Sequence, residues 1–152
     1  MARVSVSVMI SAAPAEVWAV LCDLAHYPEW HPSILKATGE IQVGSQVVFT
    51  QALQRRPTST YALRVEVVQP GAELRLRPAG STSGIETSFT LSPIDSGTHT
   101  EVVYSLIFRG RWVPLFWLGL LWIPAPWAPL RVQIRKVNQA LKHRAEHGSG
   151  TT

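Results

Sequence analysis

Apolar and polar positions alternate with a period of two at the start of the chain, with Val4, Val6, Val8 and Ile10 set against Ser5, Ser7 and Met9. That pattern predicts a strand rather than the continuous apolar run of a cleaved leader. After a turn of small residues, Pro14 suits the first position of a helix, where a missing N–H costs nothing. Glu16 then sits favourably against the helix dipole. Val17, Val20, Leu21 and Leu24 recur at helical spacing, which predicts a helix from 14 to about 25. The stretch His26-Tyr27-Pro28-Glu29-Trp30-His31-Pro32 breaks it, because each proline drives its predecessor towards extended backbone. A second short helical turn fits between the two prolines.

From there to residue 109 the pattern is strands divided by turn chemistry, with runs at 34–41, 45–53, 59–69, 72–78, 84–92 and 98–109. Gly44, Pro70-Gly71, the 80–84 loop and Asp95-Ser96-Gly97 separate them. Tyr61, Leu63, Val65 and Val67 alternate against Ala62, Arg64 and Glu66, and Ile85, Thr87, Phe89 and Leu91 against Glu86, Ser88 and Thr90. One apolar and one polar face are expected of an antiparallel sheet covered on one side. The last element is a helix from about 126 to 147, with Leu130, Ile134, Val137, Leu141 and Ala145 on one stripe and Gly148 placed to stop it. That stripe must be buried, and the apolar face of the sheet is the surface that can bury it. The chain therefore reads as one α+β domain over 1–147, with a frayed tail at 148–152.

Composition changes this picture little. A chain of 152 residues fits one domain, and near that size about 70% of the unfolded surface is buried. A single cysteine, Cys22, forms no intrachain disulfide, so a reducing cytoplasm is the expected compartment. The formal charge of +4 raises the question of nucleic acid. The arginines are scattered over separate segments, however, and only the final helix gathers basic residues, without a nucleic-acid motif. A solvated helix face accounts for them, and no nucleic-acid partner is expected.

The stretch 112–130 carries no charged residue. Its four prolines, Pro114, Pro124, Pro126 and Pro129, argue against a regular membrane span. Two readings stand: a lid over a cavity, or an interfacial patch whose tryptophans, Trp117 and Trp122 among them, settle at headgroup level. The same rings could serve a homodimer.

The order of elements resembles the helix-grip fold of the SRPBCC/START/Bet v 1-like superfamily, and in particular its polyketide cyclase/dehydrase and lipid-transport members. Pro14-Ala15-Glu16-Val17-Trp18, the stretch Asp23 to Trp30 with Pro32 behind it, Gly44, Phe89-Thr90-Leu91-Ser92-Pro93 and Asp95-Ser96-Gly97-Thr98 carry the resemblance, which covers residues 3 to 147. It implies a curved antiparallel sheet, with two short helices after the first strand, wrapped around the long C-terminal helix. It also implies a hydrophobic cavity between sheet and helix. It implies no single reaction, because the scaffold hosts cyclases, hydrolases, carriers and receptors.

Motifs with catalytic precedent are weak. His143-Arg144-Ala145-Glu146-His147 matches a zinc pattern but lies on the last helical turn, where helix-dipole complementarity explains two histidines. Ser33-Ile34-Leu35-Lys36 lacks the companion motifs of the serine enzymes it imitates. Cys22 and His26 lie four apart on the first helix, but Cys22 falls near the apolar stripe, where an inert thiol is expected. No metal and no cofactor is expected.

What remains is the inward face of the sheet. Strand parity points Tyr61, Thr87, Thr100 and Tyr104 the same way as Leu63, Phe89, Val102, Leu106 and Phe108. With Trp30, Trp117, Trp122 and Ile134 they form the expected ligand wall. Tyr61 and Tyr104 would orient a carbonyl, although each could instead pack in the core with its hydroxyl on water or backbone. His31 is the inward candidate whose ordinary pKa suits a general base. Glu86 and Glu101, of opposite parity, are expected in solvent. The expected partner is a small hydrophobic or aromatic molecule. The residues leave open whether it is transformed, as by a cyclase or dehydratase, or carried, with peripheral membrane contact.

Overall fold

Seven antiparallel strands form one sheet in the order β1-β7-β6-β5-β4-β3-β2 in this computed structural model, which describes residues 2–52, 58–80, 84–109 and 128–147. The strands are β1 Ala2–Ile10, β2 Ile34–Gly39, β3 Gln46–Gln51, β4 Ser59–Gln69, β5 Glu73–Pro78, β6 Gly84–Ile94 and β7 His99–Arg109. Each of β2 to β6 pairs with its successor, and β1 closes the order by pairing along β7 from Ala2↔Phe108 to Ile10↔Thr100. Helix α1 (Pro14–Cys22) and α2 (Tyr27–Trp30) follow β1, joined by a 3-10 turn at Leu24–His26. The long helix α3 (Ala128–His147) ends the fold. This is the helix-grip architecture that the sequence predicts. No helix among the described residues is long and apolar enough to cross a membrane.

Local chemistry explains the joints. Pro14 opens α1 and Glu16 occupies its first turn, while Val17 and Leu21 are fully buried. Gly44 turns the chain from β2 into β3 at φ +89°, a region that a Cβ makes costly, and its N–H donates to the Val65 carbonyl at 2.9 Å.

One departure from simple alternation matters. On β4, Val65 pairs with Leu76 but Val67 pairs with Arg75, so one extra residue, Glu66, is inserted opposite β5. This bulge reverses the parity beyond it. Val68, not Val67, packs against the core, which corrects the uninterrupted alternation expected through Val67.

The helix α3 buries Ile134, Val137, Leu141 and Ala145, each no more than 2% exposed. It lies mainly along β1, the edge strand, and also touches β7, α1 and α2. Two side chains fasten it there. Asn138 donates from Nδ2 to the Val6 carbonyl at 3.0 Å, and Glu146 accepts from the Ser11 N–H at 2.7 Å. They satisfy edge groups that would otherwise be open to pairing with another chain.

The interior therefore has two zones. At one end Ile10, Leu21, Leu74, Val102 and Leu141 fill the space under α1 and the C-terminal half of α3, each with zero exposure. Each such side chain contributes about 1.5–3 kcal/mol by burial. At the other end, between β3–β7 and the N-terminal half of α3, the packing opens.

The outer face holds a second surprise. Glu86 has the expected outward parity but is only 1% exposed. Arg109 approaches it at 2.8 Å, Arg75 at 3.4 Å and Arg77 at 3.9 Å, all through Nε. Glu73 pairs in turn with Arg75, and the bulged Glu66 with Arg77 at 2.9 Å. Long arginine stems lying across the sheet cover the carboxylate, which is why outward parity did not mean solvent.

Candidate functional site

The open end encloses a cavity of about 510 Å³, within the range of small-molecule sites. Its apolar wall comes from Ile34, Phe49, Leu63, Leu76, Phe89 and Leu106, with Val137 of α3 as the roof and Trp30 at the side. Phe89 and Tyr104 stack in parallel, ring centres 4.5 Å apart and planes 4° from coplanar. Such a pair gives a flat, rigid wall.

Polar groups enter at a few places. Tyr61 and Tyr104 project from β4 and β7, and neither phenol has a hydrogen-bond partner among the described residues. Burial raises the pKa of both, and for Tyr104 the neighbouring Tyr61 adds to the effect. Both are neutral donors at physiological pH. Tyr27 also lines the cavity, but its hydroxyl already donates to the Leu21 carbonyl, so its role is structural.

His31 follows α2 and is held by the chain itself. Its Nδ1 accepts from the N–H groups of Ser33 and Ile34, both at 3.2 Å. With Nδ1 so occupied, the ring proton resides on Nε2, which is left as a donor at the cavity wall. Burial lowers the His31 pKa to about 4. The imidazole is therefore neutral at pH 7 but poorly suited as a base, which corrects the expectation drawn from its ordinary pKa. The Ser33 hydroxyl joins this cluster, 3.4 Å from the same Nδ1, and accepts from Gln51 at 3.1 Å and Gln133 at 3.5 Å.

Of the expected ligand-binding residues, Trp30, Leu63, Thr87, Phe89 and Leu106 line the cavity together with His31, Tyr61 and Tyr104. Four others do not. Thr100 is fully buried at the packed end and donates to the Ala12 carbonyl at 2.7 Å. Val102 packs beside it in the main core. Ile134 and Phe108 join Val4 and Leu106 in a satellite cluster, because α3 leans towards β1 rather than over the sheet centre. Trp117 and Trp122, and with them the lid and membrane readings, lie outside the described residues.

The remaining candidates have other occupations. Burial pushes the Cys22 thiol up to about 11, an inert state, and His26 pairs instead with Asp23 at 2.6 Å. Glu146 of the zinc-like motif is engaged by Ser11 and Lys142. Sequence reasoning missed Tyr27, Ile34, Phe49, Gln51, Leu76, Gln133 and Val137 as cavity residues. Parity would have placed Gln51 beside Val47 and Phe49 on the inner face. Helical spacing would have placed Gln133 beside Val137.

A curved antiparallel sheet that grips a long helix and leaves an apolar, sparsely polar cavity defines a ligand-binding protein of the START/SRPBCC class. The chain belongs to the polyketide cyclase/dehydrase and lipid transport family, whose model matches residues 1–146. None of the curated proteins matches it at a significant level. Among solved structures it is similar to a START superfamily protein from Mycobacterium smegmatis, at 18% identity and a TM-score of 0.71, covering 95% of this chain and 97% of that one. It is also similar to the di-domain ARO/CYC protein BexL of the BE-7585A biosynthetic pathway, at 16% identity and a TM-score of 0.72, covering 99% of this chain and 48% of BexL. A third similar structure is the Aha1 dimer from Colwellia psychrerythraea, at 18% identity and a TM-score of 0.69, covering 99% of this chain and all (100%) of that one. At these identities the likeness shows a shared fold.

Proposed function

We propose that the protein binds a small aromatic or polyketide-like molecule in the cavity and acts on it as a cyclase or dehydratase-like enzyme. The observation that carries this reading is the convergence of Tyr61, Tyr104 and the Nε2–H of His31 on an apolar space with flat walls. These are neutral donors of the kind that polarise a carbonyl and stabilise the oxyanion that forms from it. Ring closure also depends on folding the substrate, and orientation by rigid walls can supply much of its acceleration. The likeness to an ARO/CYC protein supports the choice of substrate class.

A second reading, a carrier that does no chemistry, is favoured by one observation. No group lining the cavity among the described residues is a competent base near neutrality, since His31 is depressed to about 4 and the tyrosines are raised. The transport members that give the family part of its name fit this reading.

A thermal-shift panel of aromatic polyketides, sterols, terpenoids and long-chain alcohols tests binding first. A ligand at a hundred times its dissociation constant stabilises by about 2.7 kcal/mol, or roughly 5–10 °C in Tm at this size. No shift across the panel would sink both readings. Given a hit, turnover that drops at least about tenfold in Tyr61→Phe and Tyr104→Phe supports the enzyme, whereas binding without turnover supports the carrier.

A further inference from the structure

We propose that the cavity selects for the absence of charge: it takes a neutral molecule carrying a carbonyl or hydroxyl group and rejects the corresponding carboxylate. This rests on the ligand-binding reading and narrows it. Among the described residues the lining contains no Asp, Glu, Lys or Arg. Arg75, Arg77 and Arg109 have the opposite parity and are engaged with Glu66, Glu73 and Glu86 on the outer face.

The polar cluster around Ser33 is uncharged as well. Gln51 and Gln133 each donate one N–H to the Ser33 hydroxyl, which leaves each amide with its oxygen as an acceptor and one further N–H as a neutral donor. A ligand hydroxyl can donate to those oxygens, and a ligand carbonyl can accept from His31 Nε2–H or a tyrosine. A carboxylate would meet neutral donors and acceptors, with no counter-ion among the described residues. Stripping it of water without a cationic partner is costly. Ser33, Gln51 and Gln133 thus act as positioning residues for selectivity rather than as catalytic ones.

The test uses ligand pairs that share a carbon skeleton and differ in the charge of the head group. 1-Aminoanthracene serves as a neutral fluorescent reporter at about pH 7.5, displaced by dodecanol against dodecanoate and by 2-acetylnaphthalene against 2-naphthoate. The neutral member of each pair should displace it at a concentration at least about 100-fold lower. In Gln133→Arg, which places a cation in the cavity lining on a half-exposed helix position, that gap should shrink to under about tenfold. A Tm within a few degrees of the parent, about the effect of 1 kcal/mol, confirms that this variant is folded. Equal or tighter binding of the carboxylates to the parent protein overturns the proposal, as does an unchanged gap in folded Gln133→Arg. If neither the reporter nor any neutral ligand binds, the ligand-binding reading itself fails, an outcome distinct from binding without selectivity.

Discussion

At the scale of single residues, His31 shows how backbone context overrides intrinsic chemistry. Two backbone N–H groups fix its tautomer and burial removes its basicity. In a histidine NMR titration His31 should show a midpoint near 4, far below its ordinary 6.5, while His26, raised by its hydrogen bond and charge contact with Asp23, titrates above 6.5. The unfolded chain takes up a proton at His31 near 6.5 that the folded chain refuses, so stability falls as pH drops from about 6.5 towards 4. Replacing His31 with Gln should flatten that part of the stability–pH curve relative to the parent, as read from urea midpoints at each pH. An unchanged slope would mean that His31 is not desolvated. The chain showed that a histidine stood near the mouth. It could not show the pKa, which depends on which side chains bury the ring.

At the scale of elements, the sequence anticipated every strand and both principal helices to within a few residues, because alternation and helical spacing are local properties. Faces were also legible up to the first irregularity. The inserted Glu66 reverses the parity of β4 beyond it, and no local pattern announces a bulge in a run of valines. Burial on the outer face was not legible either. Glu86 is covered by arginines from β5 and β7, strands that are distant from one another in the chain. None of its contacts with their Nε groups has hydrogen-bond geometry, so charge attraction carries the site. Glu86→Gln keeps the shape and removes the charge, which leaves three guanidinium groups without their common partner. It should cost about 2–3 kcal/mol, the arginines being half-exposed and partly screened, with a Tm drop of roughly 5–10 °C. A shift under about 1 °C in calorimetry would show the cluster to be a solvated ion pair like any other on a surface.

At the scale of the whole molecule, the fold divides into a packed end and an open end, with α3 running through both. Leu141, at the packed end, is fully buried, whereas Val137, one turn earlier, roofs the cavity. The two positions should respond in opposite ways. Leu141→Ala should destabilise by about 2–5 kcal/mol through the void it leaves. Val137→Phe places its added atoms in space that is already empty, so Tm should hold or rise while ligand affinity falls at least about tenfold. Paired calorimetry and ligand titration check this. A Val137→Phe variant that unfolds more readily and still binds ligand would contradict the division. Cavity membership was only half legible from sequence for the same reason. Parity says which residues face inward, but the tilt of α3 towards β1 decides which of them are packed and which line the open space.

The division has a consequence for how such a protein changes over generations. Along the final helix, Leu141 holds the chain folded and Val137 faces the ligand space, while on the sheet several residues do both. Phe49, Leu63 and Phe89 belong to the main core as well as to the lining. Substitutions can therefore accumulate with little threat to folding only at half-buried lining positions such as Gln51, Tyr61 and Gln133, and ligand preference can drift there while the scaffold stays fixed. A sequence of this kind therefore announces its architecture far more durably than its chemistry.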